Sequence, residues 1–248
     1  MLKKTLLLSL VLLFSTSSFA FAKNFEIATG EWAPFVSQSM TDGGPTAQVV
    51  KAALEAAGHS VTFKYMPWKR VEVLTQQGKA VASFPWSMRD IFKDSTYQST
   101  PLAHQRMVFF YLKDKLPGWD YKDLEGLKKI RVGGSQGYAY VGILEGGGVK
   151  PVYSKNIKTS LKMLLHERVD VVPESQLVGW QAIREHYAAE ESKIASSQTP
   201  LFVKPLYLMI SKAHPDGEEL LREFEKGFKT IRENGTFKTL LDAHGLSE

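Results

Sequence analysis

Phe25-Glu26-Ile27-Ala28-Thr29, the stretch from Pro45 to Ala57, and Ser60-Val61-Thr62-Phe63-Lys64-Tyr65 decide the fold of this chain. Two β-rich runs flank a helical pattern that opens on Pro, whose fixed φ suits a first helical position. The order strand, helix, strand predicts an α/β sheet with helices packed on it. Downstream the alternation continues with a helix from Trp68 to Gln77, ended by Gly78, and a strand from Ala80 to Pro85. An apolar run from Met107 to Leu112 then meets Lys113-Asp114-Lys115-Leu116-Pro117-Gly118, a change of composition that marks a domain boundary.

A second series begins beyond it. Strands are expected at Ile130 to Val132, near Val152 and at Val169 to Val172; helices are expected from Tyr138, over Ile157 to His166 and over Gln176 to Tyr187. A further apolar stretch, Leu201 to Ile210, is interrupted by Pro205. Leu220, Leu221, Phe224, Phe228 and Ile231 line one face of a helix that Asn234-Gly235 stops, and a last helix carries Phe237, Leu240 and Leu241. Two βα series joined by two extended crossings predict two lobes, two sheets flanked by helices, with a cleft between them. Residues 23–109 and 206–248 are expected to form one lobe and residues 110–205 the other.

The 248 residues carry 31 Lys and Arg against 26 Asp and Glu, 44% hydrophobic residues and no cysteine. That composition belongs to a folded chain and rules out a disulfide framework, a thiolate nucleophile and cysteine-ligated metal. Lys3 and Lys4, the apolar run Leu6 to Phe14 and then Ala20-Phe21-Ala22 have the order of a secretory signal peptide, so residues 1–22 are expected to be removed. The run is far shorter than the roughly 20 apolar residues that span a bilayer. Taking away 22 of 248 residues, Lys3 and Lys4 among them, leaves 226 and lowers the net charge from +5 to +3. With no cysteine after the run there is no lipid attachment of the lipoprotein kind, and a free periplasmic or secreted product is expected.

Gly30-Glu31-Trp32-Ala33-Pro34-Phe35, directly after the first strand, resembles the opening of family 3 bacterial extracellular solute-binding proteins. Met66-Pro67-Trp68-Lys69-Arg70 with Gly78, and Ser99-Thr100-Pro101-Leu102, follow in that family's order. So do Asp123-Leu124-Glu125-Gly126, Arg131-Val132-Gly133 with Gly137-Tyr138, Arg168-Val169-Asp170, and Glu233-Asn234-Gly235-Thr236-Phe237 with Gly245. The resemblance implies a type II periplasmic-binding-protein fold of two mixed sheets with a hinge of two crossings. It further implies a monomer without cofactor that closes on a small solute and hands it to an ATP-driven permease.

Candidate ligand residues sit where strands end. Glu31 and Trp32 follow the first strand, a flat ring there offering contact area and a cation-attracting face. Trp68 and Arg70 flank a helix start, Arg offering bidentate carboxylate recognition. Pro85, Trp86, Ser87 and Arg89 follow the third strand. In the second series Ser135, Gln136 and Gly137 lie in a glycine-rich segment whose backbone can approach an anion, with Tyr138 beyond it. Glu174 and Ser175 follow another strand, and Tyr207 lies in the return crossing. The resemblance also shows departures. An ungapped match places Phe92 where amino-acid binders keep a carboxylate-binding Arg, Arg89 substituting only with a local shift. Their acidic partner of the amino group falls on Ser175 more closely than on Glu174. The ligands left open are a modified amino acid, an amine, a peptide fragment or another polar solute.

Three other readings compete. Gly133-x-Ser135-x-Gly137 matches a hydrolase nucleophile elbow, with Asp170 and His214 or His244 in triad order. A dehydratase on a related fold would use Glu174 as general acid and base. A sensory receptor would signal to a membrane kinase or chemoreceptor. The six histidines show no HExxH spacing, Gly146-Gly147-Gly148 reads as a turn, and Asn234-Gly235-Thr236 reads as helix capping. No metal site is expected, and no basic patch interleaved with aromatics speaks for nucleic acid.

Overall fold

The computed structural model describes residues 22–135, 138 and 140–246. Of the expected signal peptide all but Ala22 lies outside these, as do Gln136 and Gly137.

Strand β1 (Asn24–Thr29), helix α1 (Pro45–Ala56), β2 (Ser60–Tyr65), α2 (Trp68–Gln76) and β3 (Ala82–Trp86) follow the expected alternation. Short α3 (Asp90–Lys93) and β4 (Thr96–Gln98) precede the long β5 (Ala103–Leu112). The second series runs α4 (Leu124–Leu127), β6 (Gly133–Ser135), α5 (Tyr140–Gly146), β7 (Val152–Ser154), α6 (Ile157–Leu165), β8 (Val171–Ser175), α7 (Gln176–His186) and β9 (Ile194–Ser196). Strand β10 (Phe202–Ser211) returns, and α8 (Gly217–Glu233) and α9 (Thr236–Asp242) close the chain.

The strand expected at Ile130 to Val132 falls on the glycines that follow it. Val132 makes only an isolated parallel bridge to Val171. At Gly133 a Cβ would lie 3.1 Å from Val169 Cγ2 and 3.2 Å from Val172 Cγ2, so the bare backbone is what lets β6 lie against β8.

Register fixes the architecture. β1 pairs in parallel with β2 and β3, and β3 pairs antiparallel with the second half of β10. The first half of β10, Phe202–Leu206, pairs with Ala103–Met107 of β5. Met107 to Tyr111 then pair with β8. β10 thus serves β3 with one half and β5 with the other, and β5 passes the pairing on to β8, so the two sheets join into one hydrogen-bonded path through the hinge.

One core gathers Phe25, Ile27, Val50, Leu54, Phe84, Leu208, Phe224 and Phe228 beside the β1–β3 sheet. Gly227 lets α8 meet α1, because a Cβ there would stand 1.8 Å from the Ala53 carbonyl oxygen. The second half of β5 is buried on both faces: Val108, Phe110 and Leu112 enter one cluster while Met107, Phe109 and Tyr111 enter another. Among the described residues no helix is long and apolar enough to cross a membrane.

Candidate functional site

The same registers bring strand ends of both sheets together. Trp86, the last residue of β3, stands opposite Tyr207, and Ser175, the last residue of β8, stands opposite Met107. Met107 itself pairs with Phe202. The C-terminal ends of strands from both sheets therefore point at the Ala103–Met107/Phe202–Leu206 hinge ladder. From Phe202 to Tyr207 is roughly 16 Å of strand, a span that admits a small solute. Strand ends of this kind are where open α/β sheets bind ligands.

The first-lobe side is a packed aromatic wall. Trp68 opens α2 and lies across Gly30, where a Cβ would meet Trp68 Cε2 at 2.5 Å. Its indole N–H donates to the Glu31 carbonyl at 3.1 Å. Trp86 meets it edge-on at 4.8 Å between centroids and donates its own N–H to Ser83 Oγ at 2.9 Å. Trp32 is half-buried, 4.5 Å from the Phe35 ring, and packs on the main core. Tyr207 packs on the cluster that holds Trp86 and Phe92. Pro85 is buried and Ser87 half-exposed beside it.

The charged groups of this lobe divide. Arg89 is engaged, donating to Glu72 at 3.1 Å while its guanidinium sits 5.8 Å from the Trp86 ring. Burial works to raise the Glu72 carboxyl, but hydrogen bonds and charge from Lys69 and Arg89 outweigh it and hold the group below its ordinary value. Arg70 is exposed, without an ion-pair partner among the described residues. The Glu31 side chain is exposed and accepts from the Gln38 N–H at 3.0 Å.

The second-lobe side is polar, buried and incompletely paired. Glu174 is 2% exposed and Ser175 1%. Glu174 Oε1 accepts the Ser175 N–H at 2.8 Å, whereas Glu174 Oε2 and Ser175 Oγ find no partner. Burial pushes the Glu174 carboxyl up from 4.5 to about 8, against the smaller opposing pull of that N–H. Ser135 is buried, donates its N–H to the Tyr140 hydroxyl at 2.6 Å and lies 3.4 Å from Ser160 Oγ, which in turn meets Ser154 Oγ at 2.7 Å. Tyr138 is exposed, its ring 5.6 Å from that of Tyr140. The residues after Ser175 reach the other lobe, Leu177 and Val178 packing against the first-lobe core.

Sequence reasoning passed over Tyr65, whose hydroxyl is buried and unpaired at the end of β2, and Tyr140, which seats Ser135. Period-two alternation marks Tyr65 as a strand residue but says nothing of its hydroxyl. The hydrolase triad does not assemble. Asp170 is clamped by Arg131 at 2.6 Å, the His214 ring accepts from the Asp216 N–H at 3.1 Å, and the His244 ring faces Gln48 at 3.3 Å. Among the described residues no group of acids and histidines could hold a metal ion.

No protein-family model matches the sequence, and no curated protein matches it. Solved structures do match in fold. A histidine kinase sensor domain with similarity to periplasmic binding proteins superposes with a TM-score of 0.68 at 17% identity, covering 90% of this chain and 97% of its own. The amino acid ABC transporter substrate-binding protein AbpA of Streptococcus pneumoniae, bound to L-arginine, gives 0.65 at 19% identity over 89% and 94%. The GluR0 ligand-binding core of Nostoc punctiforme, in complex with L-glutamate, gives 0.66 at 14% identity over 88% and 98%. The chain has the two-lobed α/β fold of periplasmic binding proteins.

Proposed function

We propose that this protein is a periplasmic receptor that captures a small polar or amino-acid-like solute between its lobes and delivers it to an ABC-type permease. The observation that carries the reading is the pair of unpaired buried groups, Glu174 Oε2 and Ser175 Oγ, placed at a strand end that faces the aromatic wall across the hinge. Buried polar atoms are seldom left without partners, and a solute in the cleft supplies them. Neighbours of the same fold bound to L-arginine and L-glutamate support the solute class.

The lobes proposed are residues 23–109 with 206–248, and 110–205, rotating about the paired crossings. Trp32, Trp68, Trp86 and Tyr207 wall one side, with Glu31, Arg70, Pro85, Ser87 and Arg89 at the strand ends around them. Ser135, Tyr138, Glu174 and Ser175 line the other, and the proposal extends to Gln136 and Gly137, which lie outside the described residues. The chain acts as an exported monomer, freed of its signal peptide, without catalysis or cofactor.

A thermal-shift screen of amino acids, amines, organic acids and muropeptides on the mature protein tests this, since a solute bound only by the folded state raises Tm. A library without a single hit overturns it. The likeness to a histidine kinase sensor domain favours one second reading, a receptor for a membrane kinase. Loss of ligand uptake in a deletion strain supports the permease; intact uptake with a lost transcriptional response supports the kinase.

A further inference from the structure

Helix α7 begins at Gln176, directly after the two unpaired side chains. It is 11 residues long, and Ser175 stands at its N-cap with no side-chain hydrogen bond to the first turn. Its leading N–H groups therefore lack a side-chain acceptor, and the helix end carries partial positive charge. Glu174 and Ser175 are more than nine-tenths buried beside it. With Oε1 occupied by the Ser175 N–H, a proton on Glu174 resides on Oε2 and has no acceptor. The Ser175 hydroxyl is equally unused. Three kinds of donor thus gather at one buried point.

We propose that Glu174 works as a neutral carboxylic acid which, with the Ser175 hydroxyl and the start of α7, donates to an acceptor oxygen of the solute. The second-lobe half of the cleft thereby selects a carboxylate or carbonyl group and refuses an ammonium. This rests on the receptor reading and names the chemistry of one end of its ligand. An apolar site that keeps a carboxylic acid protonated for hydrogen-bond donation is an established device.

The surroundings agree. Across the ladder, β5 presents Val108 opposite Glu174. Among the described residues the phenols of Tyr138 and Tyr140 lie within electrostatic reach, raised first by burial and further by a charge on Glu174. The nearest cation on the facing strand, Arg106 of β5, is engaged elsewhere, donating to the Gln176 side chain at 3.2 Å and to the Gln198 carbonyl at 3.0 Å. α7 continues with Leu177 and Val178, which pack on the first-lobe core. Burial outweighs the Ser175 N–H and raises Glu174 to about 8, which favours the protonated acid at neutral pH. The helix end pulls the other way, favouring the ionised form, so the protonation state is the quantity to read directly.

Two measurements on the mature protein decide it. Infrared difference spectra of wild type minus Glu174→Gln are expected to show the carbonyl stretch of a protonated acid at pH 6.5 and its replacement by carboxylate bands at pH 9.5. Carboxylate bands already at pH 6.5 overturn the proposal. Thermal-shift titrations then compare linear dicarboxylates with diamines of the same three to five carbons. Dicarboxylates are expected to raise Tm at pH 6.5 and to lose affinity about tenfold per pH unit above the Glu174 ionisation. Glu174→Gln, which keeps a donor, is expected to retain their affinity within about threefold, and Glu174→Ala to lose more than tenfold. Diamines that bind instead, more tightly as pH rises and not at all to Glu174→Gln, overturn the proposal while leaving the receptor reading standing. Silence from both probes and the whole library takes down the receptor reading, and the infrared result still decides the state of Glu174.

Discussion

The two sides of the cleft solve opposite problems. On the first-lobe side the indole N–H groups and Arg89 are spent internally: Trp68 N–H on the Glu31 carbonyl, Trp86 N–H on Ser83, Arg89 on Glu72. Apart from Arg70 and the Tyr65 hydroxyl, what this side offers a solute is shape and ring face. On the second-lobe side the rings are few and two buried oxygens stand unused. In the proposed receptor the difference means that the first lobe is built before binding and gives contact area, whereas the second is completed by binding and gives chemical discrimination. A buried group awaiting its partner costs folding stability in the empty protein, and a rigid aromatic wall contributes to it.

The largest expected effect breaks that comparison at Glu174. Its folded ionisation lies at about 8, above the ordinary 4.5, so the native state holds the extra proton between those values. Stability from this group is fully present below about 4.5 and is lost as pH rises through about 8. The loss is on the order of 4 kcal/mol for a shift of this size. Urea melts of the wild type at pH 5 and pH 8.5 are expected to diverge accordingly, and those of Glu174→Gln to lose most of that slope. Identical slopes in the two proteins would place the ionised carboxylate in a solvated or paired setting and remove the contrast between the lobes.

On the wall the next effects are smaller and of a different kind. Trp68→Ala is expected to cost about 3 kcal/mol of unfolding free energy, because the ring fills the space over Gly30 and beside Trp86. Trp32→Ala is expected to weaken the ligand found by screening about tenfold, roughly 1.4 kcal/mol, with a smaller change in Tm. A Trp32 variant that binds normally yet melts much lower would move that ring from the cleft to the core.

Much of the fold was legible because it rests on local pattern. β2 occupies Ser60–Tyr65 as read, and the α8 face of Leu220, Phe224, Phe228 and Ile231 is the buried one. Three-residue strands escaped: β4 and β9 are too short to show a period and exist through pairing with β10 and β5. β6 was misplaced by three residues because glycine carries no strand propensity, and the reason for glycine there is the neighbouring valines. The hinge could be placed from two apolar crossings, but their pairing with each other is a long-range fact that composition does not encode. At the site, position after a strand end was readable and partnership was not. Nothing within a few residues of Arg89 announces Glu72, and nothing near Glu174 announces that one of its oxygens stays empty.

The smallest expected effect is at Ser135, and it separates binding from catalysis. The serine lies at the end of β6, its N–H fixed by the Tyr140 hydroxyl and its Oγ at a long 3.4 Å from Ser160, with no histidine in the chain of hydroxyls it joins. In that setting its hydroxyl is one hydrogen bond among several, and Ser135→Ala is expected to cost about 0.5–1.5 kcal/mol of binding. A nucleophile behaves otherwise, since its removal eliminates the covalent step and lowers the rate by orders of magnitude. Mature protein is therefore expected to turn over neither simple esters nor its own screened ligand, and Ser135→Ala to bind with a few-fold loss at most. Ester hydrolysis abolished by Ser135→Ala would overturn the receptor. Ligand turnover abolished by Glu174→Gln but intact in Ser135→Ala would give the buried acid of the second lobe a catalytic proton to move, making the same asymmetry between the lobes the basis of an enzyme.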